Sequence, residues 1–488
     1  MKRVPLLPLL LLAGCAAVGP DYTPPEAPKA EAELFAGSGY EAESLANWWR
    51  DFQDPLLCDL IEEGLCNAPT VEAAVARLRA QRALRESTEA GFWPQFTASG
   101  SYTWGRAWGA GCHSWQDNLT ARGDASWEID IFGGVRRSVE QQAATEARLA
   151  YTLQETRVSL AAEIATAYVE LRRYAAQVDI AEANLALQEK TAAVIRERAQ
   201  AGMVPWYDVM ATESQTATTR ASIPQLRQNL TAAQLRLDWL TGQAPYATQA
   251  RLRETLDEMS LPDLSPKVLP NDLLRRRADI RVAEENVHAQ TAAVGVAEAN
   301  LYPRFTLGGN IGLSSPDLSP WDAYTQSVNL GPSVSWNIFG FGSWRKRVES
   351  AKATLEATLA DYEDAVLSAY QEAETAWDAC RREAERTNDL RAAERFSGEA
   401  LRIADQLYEN GEITIDDVLT RQSSLLNAQE ALVTHRATLF TNAITLYRAL
   451  GGGWTDEPPP EEDAATDENG VDIPAEEPPA EEEPAAEA

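Results

Sequence analysis

The sequence predicts a mainly α-helical chain with a small β part, in which one structural unit is written twice. Three observations predict this class. Residues 93–97, WPQFT, return as YPRFT at 302–306, 209 positions later. Residues 135–200 contain neither proline nor glycine and carry apolar residues at coiled-coil spacing. Short stretches of alternating polarity, bounded by glycine, precede the long helical run in each copy.

The repeat extends well beyond the five-residue match. Residues 126–140, SWEIDIFGGVRRSVE, and 335–349, SWNIFGFGSWRKRVE, are identical at eight of 15 positions without a gap. The same offset aligns Pro94 with Pro303, Phe96 with Phe305, Gly202 with Gly411, Asp208 with Asp417 and Gly242 with Gly451. A period this long is a duplicated supersecondary unit and not a solenoid repeat of 20–50 residues. The expected organisation is a signal segment at 1–14, an N-terminal segment at 15–66, a first unit at 67–242, a linker at 243–275, a second unit at 276–451 and a tail at 454–488.

The chain opens MKRVPLLPLLLLAGC. Lys2 and Arg3 precede a leucine-rich run of signal-peptide length, too short to span a bilayer as a helix of ~20 residues. Its end, Leu12 to Cys15, resembles the bacterial lipobox, which implies cleavage before Cys15 and acylation of that residue. Ala16, in place of the aspartate that retains lipoproteins in the inner membrane, implies the outer membrane. Four further cysteines remain, in a compartment that permits pairing. Cys58 and Cys66 would lie ~12 Å apart on one helix, too far to bridge unless the chain turns at Gly64. They are expected as packing residues, and Cys112 is left without an assigned partner.

Within the first unit, 54–90 has helical composition with a break at Asn67-Ala68-Pro69. Strands are expected at 93–104 and 119–131, joined across a glycine- and tryptophan-rich loop at 105–116. The long helix then runs 135–200. Its seam is Leu160, Ile164, Ala167, Leu171, Tyr174, Val178, Ala181 and Leu185, and it is about 100 Å long. Gly202 ends it, and a further helix fills 207–240. Only two shorter helices stacked end to end can cover so long a seam. The second unit repeats the plan: a helix before Leu301, strands at 302–315 and 324–339, a long helix at 344–409 and a last helix to Leu450. Val366, Ala369, Ala373, Ala376 and Cys380 form its small-residue seam, which makes Cys380 a buried hydrophobe rather than a reactive thiol.

Four strands per chain cannot close a barrel. Two chains give eight strands, whose lumen fills with side chains, whereas three chains give 12 and leave a passage. Trp93, Trp104, Trp108, Trp115, Trp127, Trp321, Trp336 and Trp344 flank the expected strands, as interfacial aromatic girdles do or as ordinary core aromatics do. The composition narrows the function. Forty-three Lys and Arg stand against 74 acidic residues, a net charge of −31, which excludes a nucleic-acid partner. The tail from 456 onward holds 14 acidic residues, seven prolines and no base, a composition of disorder. His113, His288 and His435 lie on separate segments with no triad or ligand spacing, so neither an enzyme, a metal site nor a cofactor is expected.

CAAVGPDYTPPEAP from Cys15, NWWRDFQDPLL from Asn47, ANLYPRFTLGG from Ala299 and the duplicated plan together resemble the TolC-like outer-membrane factors, in the lipoprotein branch that serves tripartite efflux pumps. The resemblance covers the chain from Cys15 to about Gly453. It implies a homotrimer with a 12-strand barrel in outer-membrane lipid above a periplasmic α-barrel, completed by a periplasmic adaptor and an inner-membrane transporter. It also implies a gate at the periplasmic tip. Tyr408 matches the gate tyrosine and Asp208 its acidic partner. Asp417 matches a constriction aspartate, with Asp416 beside it. Ile413 and Thr420 stand where the family pattern has an arginine and a second aspartate. Asp208 and Asp417 also suit helix N-termini as plain caps. Gly202 and Gly411 need only reverse the chain, and the resemblance adds adaptor contact there. The expected function is a passive exit duct for small molecules. The alternatives are a type I protein-secretion duct and a lipid-anchored coiled-coil scaffold without a pore.

Overall fold

The computed structural model describes residues 17–26, 45–106, 115–254, 276–315 and 324–454. The expectations for 1–14, Cys15, Cys112, His113, Trp108, Trp321, most of the 243–275 linker and the acidic tail lie outside the described residues.

A 3₁₀ turn, Trp48–Phe52, leads into α1 (Pro55–Asn67) and α2 (Pro69–Glu89). Asp54 starts α1: its carboxylate accepts the Leu56 and Leu57 N–H groups at 3.0 and 3.3 Å, and Pro55 occupies the first helical position, where an N–H would be unpaired anyway. Pro69 restarts the chain as α2, so the helical stretch does break where the sequence indicates. α1 itself runs unbroken through Gly64, where an added Cβ would fall 2.3 Å from Ile164 Cδ1; glycine serves there for close helix approach, not for a turn. Cys58 is half-buried and packs, as expected. Cys66 is exposed and is not a packing residue.

β1 (Gln95–Arg106) and β2 (Trp115–Ile129) form the first hairpin. Asp130 ends β2 and starts α3 (Gly134–Gln200), its carboxylate accepting the Val135 and Arg136 N–H groups at 3.2 and 3.0 Å. α4 (Trp206–Leu240) returns along α3, and a short α5 (Gln249–Glu254) follows. The second copy comprises α6 (Ala278–Ala299), β3 (Arg304–Ser315), β4 (Thr325–Ser335), α7 (Phe341–Glu409) and α8 (Ile415–Ala449). β4 stops four residues short of the expected 339 because Asn337 folds back, its side-chain oxygen accepting the Gly340 N–H at 2.9 Å.

α3 and α7 span 67 and 69 residues and form the frame. Along the half near the sheet, α3 packs on α2 and α6; along the other half it packs on α4 and α8. The shorter helices stack end to end. Gly242, just past α4, sits against the junction of α1 and α2, where an added Cβ would be 2.6 Å from Asn67 O. Gly451, just past α8, meets Arg277 in the same way at the start of α6. Gly202, Gly242, Gly411 and Gly451 all have φ between +69° and +77°, a left-handed cap that L side chains rarely adopt. Arg196–Glu213, Arg220–Glu189 and Arg227–Glu182 ladder α3 to α4 in one antiparallel register. Each is exposed and weak, so they fix register more than stability.

The predicted seam is buried at Leu160, Ile164, Ala167, Leu171, Val178 and Ala181, and half-buried at Tyr174 and Leu185. Past Ala181 the buried stripe moves to Asn184, Gln188, Ala192, Ile195 and Ala199. A helix of 3.6 residues per turn drifts against a 3.5 repeat, and the partners along this stretch are α4 and α8, which already meet α3 at Glu170 and Gln177. Val366, Ala369, Ala373, Ala376 and Cys380 are all buried, and burial pushes the Cys380 thiol up to about 12.

Candidate functional site

Two regions at opposite ends of the long helices carry the site. The first is the sheet. Its order is β1-β2-β3-β4, antiparallel throughout, so β1 and β4 are open edges. Side chains alternate strictly across it. Phe96, Ala98, Tyr102 and Trp104 share one face of β1, and Leu119, Ala121, Ala125 and Trp127 one face of β2. Phe305, Leu307, Ile311 and Leu313 on β3 and Val328, Leu330 and Val334 on β4 continue it. Register places Phe96 opposite Ala125, Trp127 opposite Leu307 and Ile311 opposite Val328, so every strand contributes apolar residues to the same face. The other face carries Thr97, Ser99, Asn118, Thr120, Arg122, Asp124, Thr306, Asn310, Ser327 and Asn329.

This apolar face is uncovered. Phe96 is 80% exposed, Leu330 79% and Val328 73%. A single chain therefore presents a sheet that is greasy on one side, polar on the other and unpaired at both edges. Lipid suits the first face and water the second. Trp93, Trp104, Trp127 and Trp336 are exposed, so they are not core aromatics of the single chain. Trp127 Nε1 donates to Phe92 O at 2.9 Å and Trp336 Nε1 to Leu301 O at 3.1 Å, the same contact 209 residues apart.

The segment after Cys15 docks at the base of this sheet. Val18 N donates to Phe132 O at 3.0 Å, and the buried Arg137 guanidinium donates to Val18 O at 3.2 Å and to Asp21 at 2.6 Å. Tyr22 stacks on His288, with ring centroids 4.1 Å apart. Nothing in the spacing of Arg137 signals this role; only the fold brings Arg137 to residues 116–119 positions earlier.

The second region is the pair of helix turns. Ile195, Ala199, Val209, Leu401, Ala404, Ile415 and Val418 form a buried cluster that ties the ends of α3, α4, α7 and α8, with Val204, Tyr408 and Ile413 packed on it. Ile413, where the family pattern has an arginine, thus contributes an apolar contact. The sequence did hold a signal for this cluster: Val204 and Val209 follow Gly202 by two and seven residues, as Ile413 and Val418 follow Gly411.

The polar residues expected at the tip have distinct environments. The Tyr408 ring lies under the Arg198 guanidinium at 5.3 Å, and its buried hydroxyl has no hydrogen-bond partner among the described residues. Tyr408 and Asp208 are not joined by a hydrogen bond here. Asp417 caps α8: its carboxylate accepts the Thr414 N–H at 3.1 Å and the Thr414 hydroxyl at 2.7 Å, which holds its pKa below the usual carboxylate range. Asp208 is held above that range, first by partial burial and then by the charge of Asp416. Thr420 bonds its own helix through Asp416 O at 2.7 Å. Beside Gly202 and Gly411 there is open space, so their glycine requirement is conformational.

The two aspartates give opposite pH signs. Asp208 favours this tip arrangement fully below the ordinary aspartate pKa, and that contribution is lost as pH rises through its raised value. Asp417 favours it above the ordinary value and loses its contribution as pH falls through its lowered one. The two contributions overlap around the ordinary aspartate pKa, between the lowered value and the raised one. Hydrogen-exchange protection of the tip is therefore expected to rise as pH falls from neutral through the raised Asp208 value, and Asp208→Asn to flatten that dependence. Protection that falls over that range would contradict it.

A membrane sheet joined to a helical shaft whose far end is drawn together defines a conduit protein of a cell envelope. The chain belongs to the outer membrane efflux protein family, whose model matches it twice, over residues 60–243 and 269–452. It is 30% identical over 447 residues to nodulation protein T of Rhizobium leguminosarum bv. viciae, covering 91% of this chain and 92% of that protein. It is 29% identical to the toluene efflux pump outer membrane protein TtgC of Pseudomonas putida, covering 92% and 94% of the two chains. Among solved structures, the outer-membrane channel OprN superposes with a TM-score of 0.78 at 34% identity, over 90% of this chain and 99% of that one. VceC of Vibrio cholerae gives a TM-score of 0.74 at 27% identity, over 84% and 99%. The protein is an outer-membrane efflux channel and not an enzyme.

Proposed function

We propose that three copies of this chain close their twelve strands into one barrel in the outer membrane, and that the helices below continue it as a periplasmic tunnel. The observation that carries this is the four-stranded sheet, apolar on one face and unpaired at both edges. Backbone edges cannot remain open in lipid, so the sheet must find further strands, and copies of itself supply them. The tunnel is a passive duct for small organic molecules, energised and selected by an inner-membrane transporter and joined to it by a periplasmic adaptor at the turns around Gly202 and Gly411. The toluene efflux pump protein among its relatives supports this substrate class. Lipid attached to Cys15 anchors each chain; with Val18 bonded to Phe132 at the base of the sheet, an acyl group three residues earlier is within reach of the bilayer.

In this reading the tip is the gate, with Tyr408, Asp208, Asp416 and Asp417 as its polar residues. A few hydrogen bonds of ~1 kcal/mol each, multiplied by three-fold symmetry, hold a closed state that still yields to a partner. Purified protein in planar bilayers tests both parts. A trimer with discrete conductance steps is expected, and a monomer in detergent without channel activity would sink the conduit. Asp208→Ala combined with Tyr408→Phe is expected to raise conductance in normally assembled trimers; unchanged conductance would remove the gate role while leaving the duct.

A further inference from the structure

The buried apolar contacts of the helices fall into two separate clusters. The larger includes α3 from Leu153 to Leu171 and α8 from Phe440 to Leu450; the smaller is the tip cluster. Between them, α3 buries the amides Asn184 and Gln188 among the small apolar residues Val178, Ala181 and Ala192. On α8, Gln422 is the one buried residue between Val418 and Leu439. Polar side chains of α3 and α8 meet at this level in one antiparallel run. Gln177 Nε2 donates to Thr434 Oγ1 at 3.2 Å, Asn184 Nδ2 to Gln429 Oε1 at 3.1 Å and Gln422 Nε2 to Thr191 Oγ1 at 3.4 Å.

The belt is under-satisfied. Among the described residues, Gln188, 3% exposed, has no hydrogen-bond partner for either the oxygen or the nitrogen of its amide, and Gln422, 2% exposed, has none for its oxygen. Leucine at either position would extend the apolar seam, whereas a buried unpaired amide penalises the closed contact. Separation of the helices at either cluster exposes large apolar side chains, but here it exposes mainly alanine and gives the amides the partners they lack. The belt is thus the level at which α3 and α8 part at least cost.

We propose that this polar belt is a built-in weak section of the tunnel wall, at which α3 and α8 separate so that the tip cluster moves as one body below a fixed upper shaft. The proposal rests on the reading of the tip as a gate. Its test is the full-length trimer carrying Gln188→Leu and Gln422→Leu, compared with wild type by hydrogen exchange and by single-channel recording. Amides at 182–195 and 419–430 are expected to exchange about tenfold more slowly while those at 160–171 keep their rate. Opening events are expected to fall in the same preparation. Exchange that is unchanged or faster in the belt overturns the proposal, and so does slower exchange with unaltered opening. If the leucine protein fails to assemble, Gln188→Met with Gln422→Met preserves side-chain length and is held to the same outcomes. Failure of the gate reading shows separately, as unchanged conductance in the Asp208→Ala, Tyr408→Phe protein.

Discussion

Leu330→Arg is expected to abolish assembly of the channel in the outer membrane. Leu330 lies at the centre of β4, on the face that carries Phe96, Trp127 and Ile311, and is almost fully uncovered in the single chain. An arginine facing lipid near the bilayer midplane costs ~2–4 kcal/mol, and a three-fold assembly carries that cost in every copy. The neighbouring change, Asn329→Arg, points to the polar face and is expected to be tolerated. Immunoblotting of outer-membrane fractions for folded trimer separates the two. Equal amounts from both variants would mean that the uncovered face does not meet lipid.

The second large effect is expected at Asp54, far from both membrane and tip. Its buried carboxylate caps α1 and also accepts the Tyr168 hydroxyl at 2.7 Å and the Arg172 guanidinium at 3.1 Å. Tyr168 and Arg172 are further joined at 2.8 Å. Asp54→Ala removes the cap, worth ~1 kcal/mol, and strands a largely buried guanidinium, which together predict a loss of about 3–5 kcal/mol. Asp54→Asn keeps an acceptor for the cap and should lose roughly half as much. Thermal denaturation of the purified protein reads the order wild type, Asn, Ala. If both substitutions prove equally mild, the triad does not couple α1 to α3.

The same residue explains a motif whose meaning the linear sequence concealed. In NWWRDFQDPLL, Trp48, Trp49 and Phe52 are buried, Trp48 stacks on Tyr447 with centroids 5.5 Å apart, and Asp54 starts the next helix. The stretch pins the N-terminal segment to α3 and α8. Its composition revealed importance but not partners, because those partners lie more than a hundred residues away.

The sequence by itself determined the duplication, the long helices with their glycine caps, and the positions of four strands to within a few residues. These are local matters: absence of proline and glycine, spacing of apolar residues, and turn chemistry repeated at a fixed offset. It also carried the tip cluster in the paired valine and isoleucine positions after each glycine. Only the tertiary structure decided that Cys66 faces solvent, that Asp417 is occupied with Thr414 in capping α8, that Arg137 clamps residues 18–21, and that Gln188 is buried with no partner among the described residues. Each of these depends on which side chains meet across distant segments. Periodicity fixes the face a residue occupies, but the hydrogen bonds available there are set by the element that arrives opposite.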